Sequence, residues 1–271
     1  MQLVYFTKHW PGTSVKEFAR MAKSIGADGL DLAVREGHTV NPANAADALP
    51  EAVRTCSCEG VSVAMATMET RPTDPDDPRT EALFAACGEA GVPYVKLGYF
   101  LHKPGQDYWA EVERLRGVLG RLGKLAAKHG VLACYHTHSG TFYGSNASGL
   151  MHLLRGQDAN ALGAYIDVGH LALGGEPIPM AVDIVRDYLH IVGVKSPAWE
   201  AEPAGDHVAW KARIVPLMEG AVDCRQMLAE LKRVGFDGVL TLHSEYEMPQ
   251  EQLLQALRSE IAYCRRLLAE T

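Results

Sequence analysis

Short apolar runs rich in β-branched and aromatic residues recur along the chain at 3–9, 28–34, 61–67, 93–98, 131–136, 164–168, 190–195 and 238–243. Each has the length of a strand. The segments between them carry helix signals. Ser14 stands as an N-cap ahead of Val15–Met21, and a long helical stretch runs from Asp107 to His129. Several strands are entered through a small-residue phrase that closes the previous helix: Ile25-Gly26-Ala27-Asp28-Gly29, Ala90-Gly91-Val92, His129-Gly130-Val131 and Val234-Gly235-Phe236-Asp237-Gly238. Glycine there suits the left-handed position just past a helix end.

Strands that alternate with helices predict a parallel sheet. Eight such units in 271 residues average about 34 each, which closes a (β/α)8 barrel of the α/β class with a single domain over 1–271. An open doubly wound sheet is the alternative. It would carry a glycine-rich first turn, whereas the first strand leads here into Lys8-His9-Trp10-Pro11-Gly12. The longest connection, between the seventh and eighth strands, holds the stretch Trp199 to Gly220 and is predicted to be an active-site loop.

Composition narrows the class. A hydrophobic share of 47% with 22% charged residues supplies a large core. A net charge of −7 argues against nucleic-acid and anionic-membrane partners and leaves small molecules as the expected ligands. The N-terminus runs straight into Leu3-Val4-Tyr5-Phe6, and no apolar run nears the roughly 20 residues that span a bilayer, so a cytoplasmic location is expected. The six cysteines form no Cys-x-x-Cys pair, and Cys56 and Cys58 diverge on a helical stretch, as expected of reduced structural thiols. A dimer or tetramer is left open.

In such a barrel, chemistry sits at the C-terminal ends of the strands. The fifth strand ends Tyr135-His136-Thr137-His138-Ser139-Gly140, the sixth reads Ile166-Asp167-Val168-Gly169-His170, the seventh Val194-Lys195-Ser196-Pro197 and the eighth Leu242-His243-Ser244-Glu245-Tyr246. Side chains alternate along a strand, so His136 shares a face with His138, and His243 with Glu245. Paired imidazoles with carboxylates from neighbouring strands suit a divalent metal that polarises a carbonyl or hydroxyl oxygen. A carboxylate at Asp167, near the end of a buried strand, needs a partner. Lys195 either pairs with it or steadies a developing enolate oxygen. His9, Arg35, His38, Glu69, Lys96 and His102 follow strands one to four, and Trp199, Trp210, Lys211 and Arg213 lie in the long connection, as weaker candidates for touching substrate. His129 and His190, at the other ends of their strands, are expected to be structural.

The phrases Gly29-Leu30-Asp31-Leu32, Tyr135-His136-Thr137-His138-Ser139-Gly140, Asp167-Val168-Gly169-His170-Leu171, Val194-Lys195 and Glu219-Gly220 resemble the xylose isomerase-like barrel superfamily over nearly the whole chain. That superfamily groups sugar phosphate isomerases and epimerases with inosose dehydratases and apurinic endonucleases. The resemblance implies one divalent metal held by Glu, Asp, His and Glu from strands five to eight, with the two glutamates moving protons through an enediolate. Here the Asp matches at Asp167, with His170 in the accompanying Asp-x-x-His position. The other three positions fall on His136, Gly193 and His243, and Tyr-His-x-His also occurs in the inosose dehydratase branch.

The resemblance therefore implies an isomerase or epimerase of a sugar or polyol. His136, Asp167 and His243 would hold Mn2+, Mg2+, Co2+ or Zn2+, Lys195 would steady the enediolate, and Glu245 and His170 would move protons. His9, Arg35, His38, Glu69, Lys96, His138, Trp199 and Arg213 are the expected substrate contacts. A keto-polyol dehydratase is the nearest alternative, since it also begins by enolisation, and a catalytically silent sugar-binding barrel is another. The endonuclease branch, which needs a basic DNA-binding face, conflicts with the charge of −7.

Overall fold

The computed structural model describes residues 1–246 and 248–270. Eight parallel strands close into a barrel: β1 (Gln2–Phe6), β2 (Gly29–Ala33), β3 (Ser62–Thr67), β4 (Tyr94–Lys96), β5 (Leu132–His136), β6 (Leu162–Asp167), β7 (Leu189–Val194) and β10 (Val239–Leu242). β1 closes the ring by pairing with both β2 and β10. All eight fall on the expected apolar runs. The first ends early, because Thr7–His9 winds into a single 3-10 turn.

Helices pack outside. α1 (Val15–Ile25) begins at a capping box in which Ser14 and Glu17 bond reciprocally, and it ends at Gly26 with φ of +79°. α2 (Ala45–Glu59) and α3 (Pro78–Ala90) end at Gly60 and Gly91 in the same left-handed way. α4 (Tyr108–Lys128) lies between Asp107 and His129 as the sequence predicts. α5 (Ala147–Leu154), α6 (Val168–Leu173), α7 (Ile178–Val185), α8 (Cys224–Arg233) and α9 (Gln250–Glu270) complete the ring. Among the described residues no helix is long and apolar enough to cross a membrane.

Two apolar clusters result. The larger joins the helices to the outer faces of the strands. The smaller, Val4, Ala64, Met65, Cys134, Tyr165, Ile191 and Val239, comes from strands alone and fills the barrel as a side-chain plug. Tyr165 tops this plug and carries its hydroxyl into the polar mouth.

The connection after β7 corrects the sequence expectation. It is an antiparallel hairpin of β8 (Ser196–Ala204) and β9 (His207–Val215), turned through Gly205, whose φ is +69°. One face pairs Trp199 with Ala212, Ala201 with Trp210 and Pro203 with Val208, while the other pairs Glu200 with Lys211 and Ala198 with Arg213. The first face is apolar throughout and the second carries the charges of the hairpin among alanines, so the ribbon is amphipathic.

Candidate active site

The strand ends converge on a cavity of about 140 Å3, a volume for one small ligand, lined among others by Lys8, Arg35, Lys96, Tyr99, His136, His138, His170, Lys195, His243 and Glu245. Asp167 sits behind this lining, wholly buried as the last residue of β6 and the N-cap of α6. Its Oδ1 accepts from the backbone N–H of His170 at 3.0 Å. Its Oδ2 has no hydrogen-bond partner among the described residues but lies 3.4 Å from Lys195 Nζ, 3.6 Å from His136 Nε2 and 3.6 Å from His243 Nδ1.

Lys195, buried just past β7, organises the group. Its ammonium donates to His170 Nε2 at 2.8 Å and to Glu245 Oε2 at 3.0 Å. Lys8 holds the other Glu245 oxygen. Burial would drive both carboxyls up, but the Lys195 ammonium holds Asp167, and Lys195 with Lys8 holds Glu245, well below the usual carboxylate range. Burial works against the Lys195 charge too, and Asp167 and Glu245 outweigh it and raise its pKa. The three groups form one ionised cluster.

Burial keeps three of the histidines around it, His136, His138 and His170, in the neutral form. Burial lowers His170 to about 3 and pushes His136 well down. With its Nε2 accepting from Lys195, His170 carries its proton on Nδ1 and donates to Ser139 Oγ at 2.9 Å. His138, also lowered by burial, donates from Nδ1 to the Ser139 carbonyl at 2.9 Å, so its Nε2 keeps a lone pair without a partner among the described residues. His136 Nδ1 meets the Tyr99 hydroxyl at 2.9 Å, and His243 Nε2 meets that of Tyr165 at 2.8 Å. Lys96 differs from Lys195. Its Nζ has no hydrogen bond among the described residues, rests 3.6 Å from the centre of the Tyr99 ring, and is pushed well down by burial and by Arg35.

Of the expected site residues, Arg35, Lys96, His136, His138, His170, Lys195, His243 and Glu245 share the cavity, with Asp167 against it. His9 packs edge-on against Trp10 and is lowered to about 4 by burial. His38 and Glu69 lie outside the lining, and Glu69 accepts from the backbone of Glu36. Trp199 is exposed on the hairpin. Arg213 pairs with Glu200 and lines a second cleft that shares Glu245. His102 bonds the Tyr143 hydroxyl at 2.8 Å. His129 bonds Glu81 and His190 the Ala159 carbonyl, structural contacts as expected.

Lys8, Tyr99, Tyr165 and Glu260 escaped the sequence reading. Tyr165 had a signal, since it stands two residues before Asp167 on one strand face. Glu260, buried on α9, accepts from Ser244 Oγ at 2.8 Å, from the Leu217 backbone at 2.9 Å and from the Tyr246 hydroxyl, and so pins the segment that carries Glu245. Its signal was a lone Glu on an apolar helix face.

The metal implied by the resemblance can be tested against these positions. His136 Nε2 and Asp167 Oδ2 are orphaned and face each other, yet among the described residues no group of three or more His, Cys, Asp or Glu side chains is arranged to hold an ion. At Gly193, the strand-seven ligand position, an added Cβ would lie 3.0 Å from both Asp167 Oδ2 and the Tyr165 ring. Tyr165 thus takes the space a ligand would enter through. As placed, these residues do not form a metal centre.

No curated protein matches the chain. Solved structures do match in fold. D-psicose 3-epimerase from Clostridium cellulolyticum H10, solved with D-tagatose, superposes at a TM-score of 0.74 with 13% identity, covering 99% of each chain. A xylose isomerase-like TIM barrel protein from Mycobacterium smegmatis, in complex with magnesium, gives 0.75 at 18%, covering 99% of this chain and 97% of that one. The probable 3-DHS dehydratase of petrobactin synthesis from Bacillus anthracis gives 0.75 at 14%, covering 98% and 99%. The family model for the xylose isomerase-like TIM barrel matches residues 19–267, and the chain belongs to that family.

Proposed function

We propose that the protein isomerises or epimerises a sugar or closely related polyol by moving a proton between carbons next to a carbonyl. The observation that carries this reading is the pairing, in one small cavity, of the fixed Lys195 ammonium with the unprotonated Nε2 of His138. Lys195 donates to the substrate carbonyl oxygen, using the N–H whose contact with Asp167, at 3.4 Å, is longer than a hydrogen bond. His138 Nε2 takes the proton from the adjacent carbon. Returned to the neighbouring carbon, that proton gives the isomer. Epimerisation at a single carbon needs a second proton carrier on the other side of the sugar, and Glu245 is the carboxylate the cavity offers. His170, whose only lone pair is engaged by Lys195, orients the ammonium. Arg35 and Lys96 bind substrate oxygens.

No step passes through a divalent ion, since among the described residues the side chains as placed form no ligand set for one. The sugar epimerases among the relatives of the fold support the reaction class. The dehydratase among them supports a second reading, loss of water after the same enolisation. The six free thiols suit a reducing compartment such as the cytoplasm.

The test is to incubate the protein with a panel of ketoses, aldoses and keto-polyols in D2O and to follow each by NMR. The expected result is a new isomer carrying deuterium beside the carbonyl, lost in His138→Gln. Water loss would move the assignment to the dehydratase. Absence of exchange across the panel would sink both.

A further inference from the structure

We infer that the Lys195 ammonium is the resident cation of this site and takes, by charge and position, the place beside Asp167 and Glu245 that a divalent ion would otherwise occupy. The inference rests on the same site as the proposed reaction and is tested without it.

Four observations converge. The ammonium lies 3.0 Å from Glu245 Oε2, 2.8 Å from His170 Nε2 and 3.4 Å from Asp167 Oδ2, so an ion bound by either carboxylate would compete for oxygens that already face it. Lys8 holds the remaining Glu245 oxygen. The path of the lysine is built into the backbone. At Gly169, in α6, an added Cβ would lie 2.4 Å from Lys195 Cγ and 2.8 Å from its carbonyl oxygen, so the helix passes the lysine stem with no side chain between them. On β7, Gly193 leaves its space to Tyr165 and Asp167, and the strand delivers a cation two residues later instead of a ligand. Finally, three cationic side chains, Lys8, Arg35 and Lys195, line the cavity beside the carboxylates of Asp167 and Glu245. A doubly charged ion would meet those cations where water screens them least.

The chemistry that follows differs from that of a Lewis acid. An ammonium stabilises an enediolate oxygen by charge and a directed N–H, and it needs no exchangeable ligand. Chelators should therefore leave the site intact.

The experiment is metal analysis of the full-length protein, with thermal melting in EDTA and in millimolar Mn2+, Co2+, Mg2+ or Zn2+. Wild type is expected to carry far less than one ion per chain and to melt at the same temperature in every condition. Lys195→Met frees the carboxylates and the neighbouring imidazoles, and it is expected to gain a rise of several degrees with Mn2+ or Zn2+ that wild type lacks. One ion per wild-type chain, lost in Asp167→Asn, overturns the inference. So does a folded Lys195→Met that ignores the ions. Should that variant not fold, the wild-type ion content decides. None of these readouts depends on sugar turnover, so failure here is distinct from failure of the proposed reaction.

Discussion

Asp31 and Asp167 are both aspartates on barrel strands and both 0% exposed, yet their surroundings give them different work. Asp31, on β2, has an oxygen for each of two neighbouring hydroxyls: Thr67 donates to Oδ1 at 2.5 Å and Thr241 to Oδ2 at 3.1 Å. These bonds tie β2 to β3 and to β10, and the carboxylate is spent on holding the barrel. Asp167 has one oxygen fixed by the start of α6, while the other faces Lys195 and two imidazoles with no hydrogen bond of its own among the described residues. A buried acceptor left partly unsatisfied carries a desolvation cost that a hydrogen-bonded one avoids. The difference teaches that burial of a charge marks no site by itself. The unfilled hydrogen-bonding capacity of its surroundings does.

That contrast can be broken in four ways. Asp167→Asn should lower turnover by about a hundredfold or more, because Lys195 loses half of its counter-charge, whereas Asp31→Asn should cost the folded protein less than about tenfold. Steady-state kinetics on the substrate found by exchange would read this, and equal losses would erase the distinction. Gly169→Ala comes next. The added methyl displaces the Lys195 stem and should reduce turnover by about ten- to a hundredfold while leaving Asp31 and its partners in place. A variant as active as wild type would show that the position of the ammonium is not critical.

Thr67→Val or Thr241→Val should act on stability, each removing a donor from Asp31 at a cost of about 1–3 kcal/mol in urea unfolding. The smallest effect is in pH. The Asp167 carboxyl is held below its ordinary value, so its contribution to stability is complete above about pH 4 and is lost as the pH falls below that. Unfolding free energy measured against pH should therefore be less steep below pH 4 in Asp167→Asn than in wild type, by up to about 1.4 kcal/mol per pH unit. Parallel curves would mean that the carboxyl titrates alike in the folded and unfolded chain.

Much of this was legible in the sequence. The eight apolar runs became the eight barrel strands, and Ser14, Asp107, Gly26 and Gly91 ended their helices through local hydrogen bonds and a left-handed turn that neighbouring residues specify. The polar ends of β5, β6, β7 and β10 could be placed together, because a closed parallel barrel delivers every strand end to one rim. The hairpin was missed although its alternation and its Gly205-Asp206 turn were present, since a stretch rich in Trp, Pro and charge between two strands also reads as a loop. His9, His38 and Glu69 follow strands as the others do, and only the turn each enters decides that it leaves the cavity.

The sequence by itself determined the architecture and the rim on which chemistry gathers, because hydrophobic period, caps and turn residues act over a few neighbours. It also set the inventory of that rim, one Asp, one Glu, three lysines, an arginine and a run of histidines. Tertiary structure decided what each does. Asp31 and Asp167 look alike as letters, as do Lys96 and Lys195, but hydrogen bonding and charge in a low-dielectric cavity depend on contacts between residues far apart in the chain. Those contacts set Lys96 over a tyrosine ring and place Lys195 between two carboxylates.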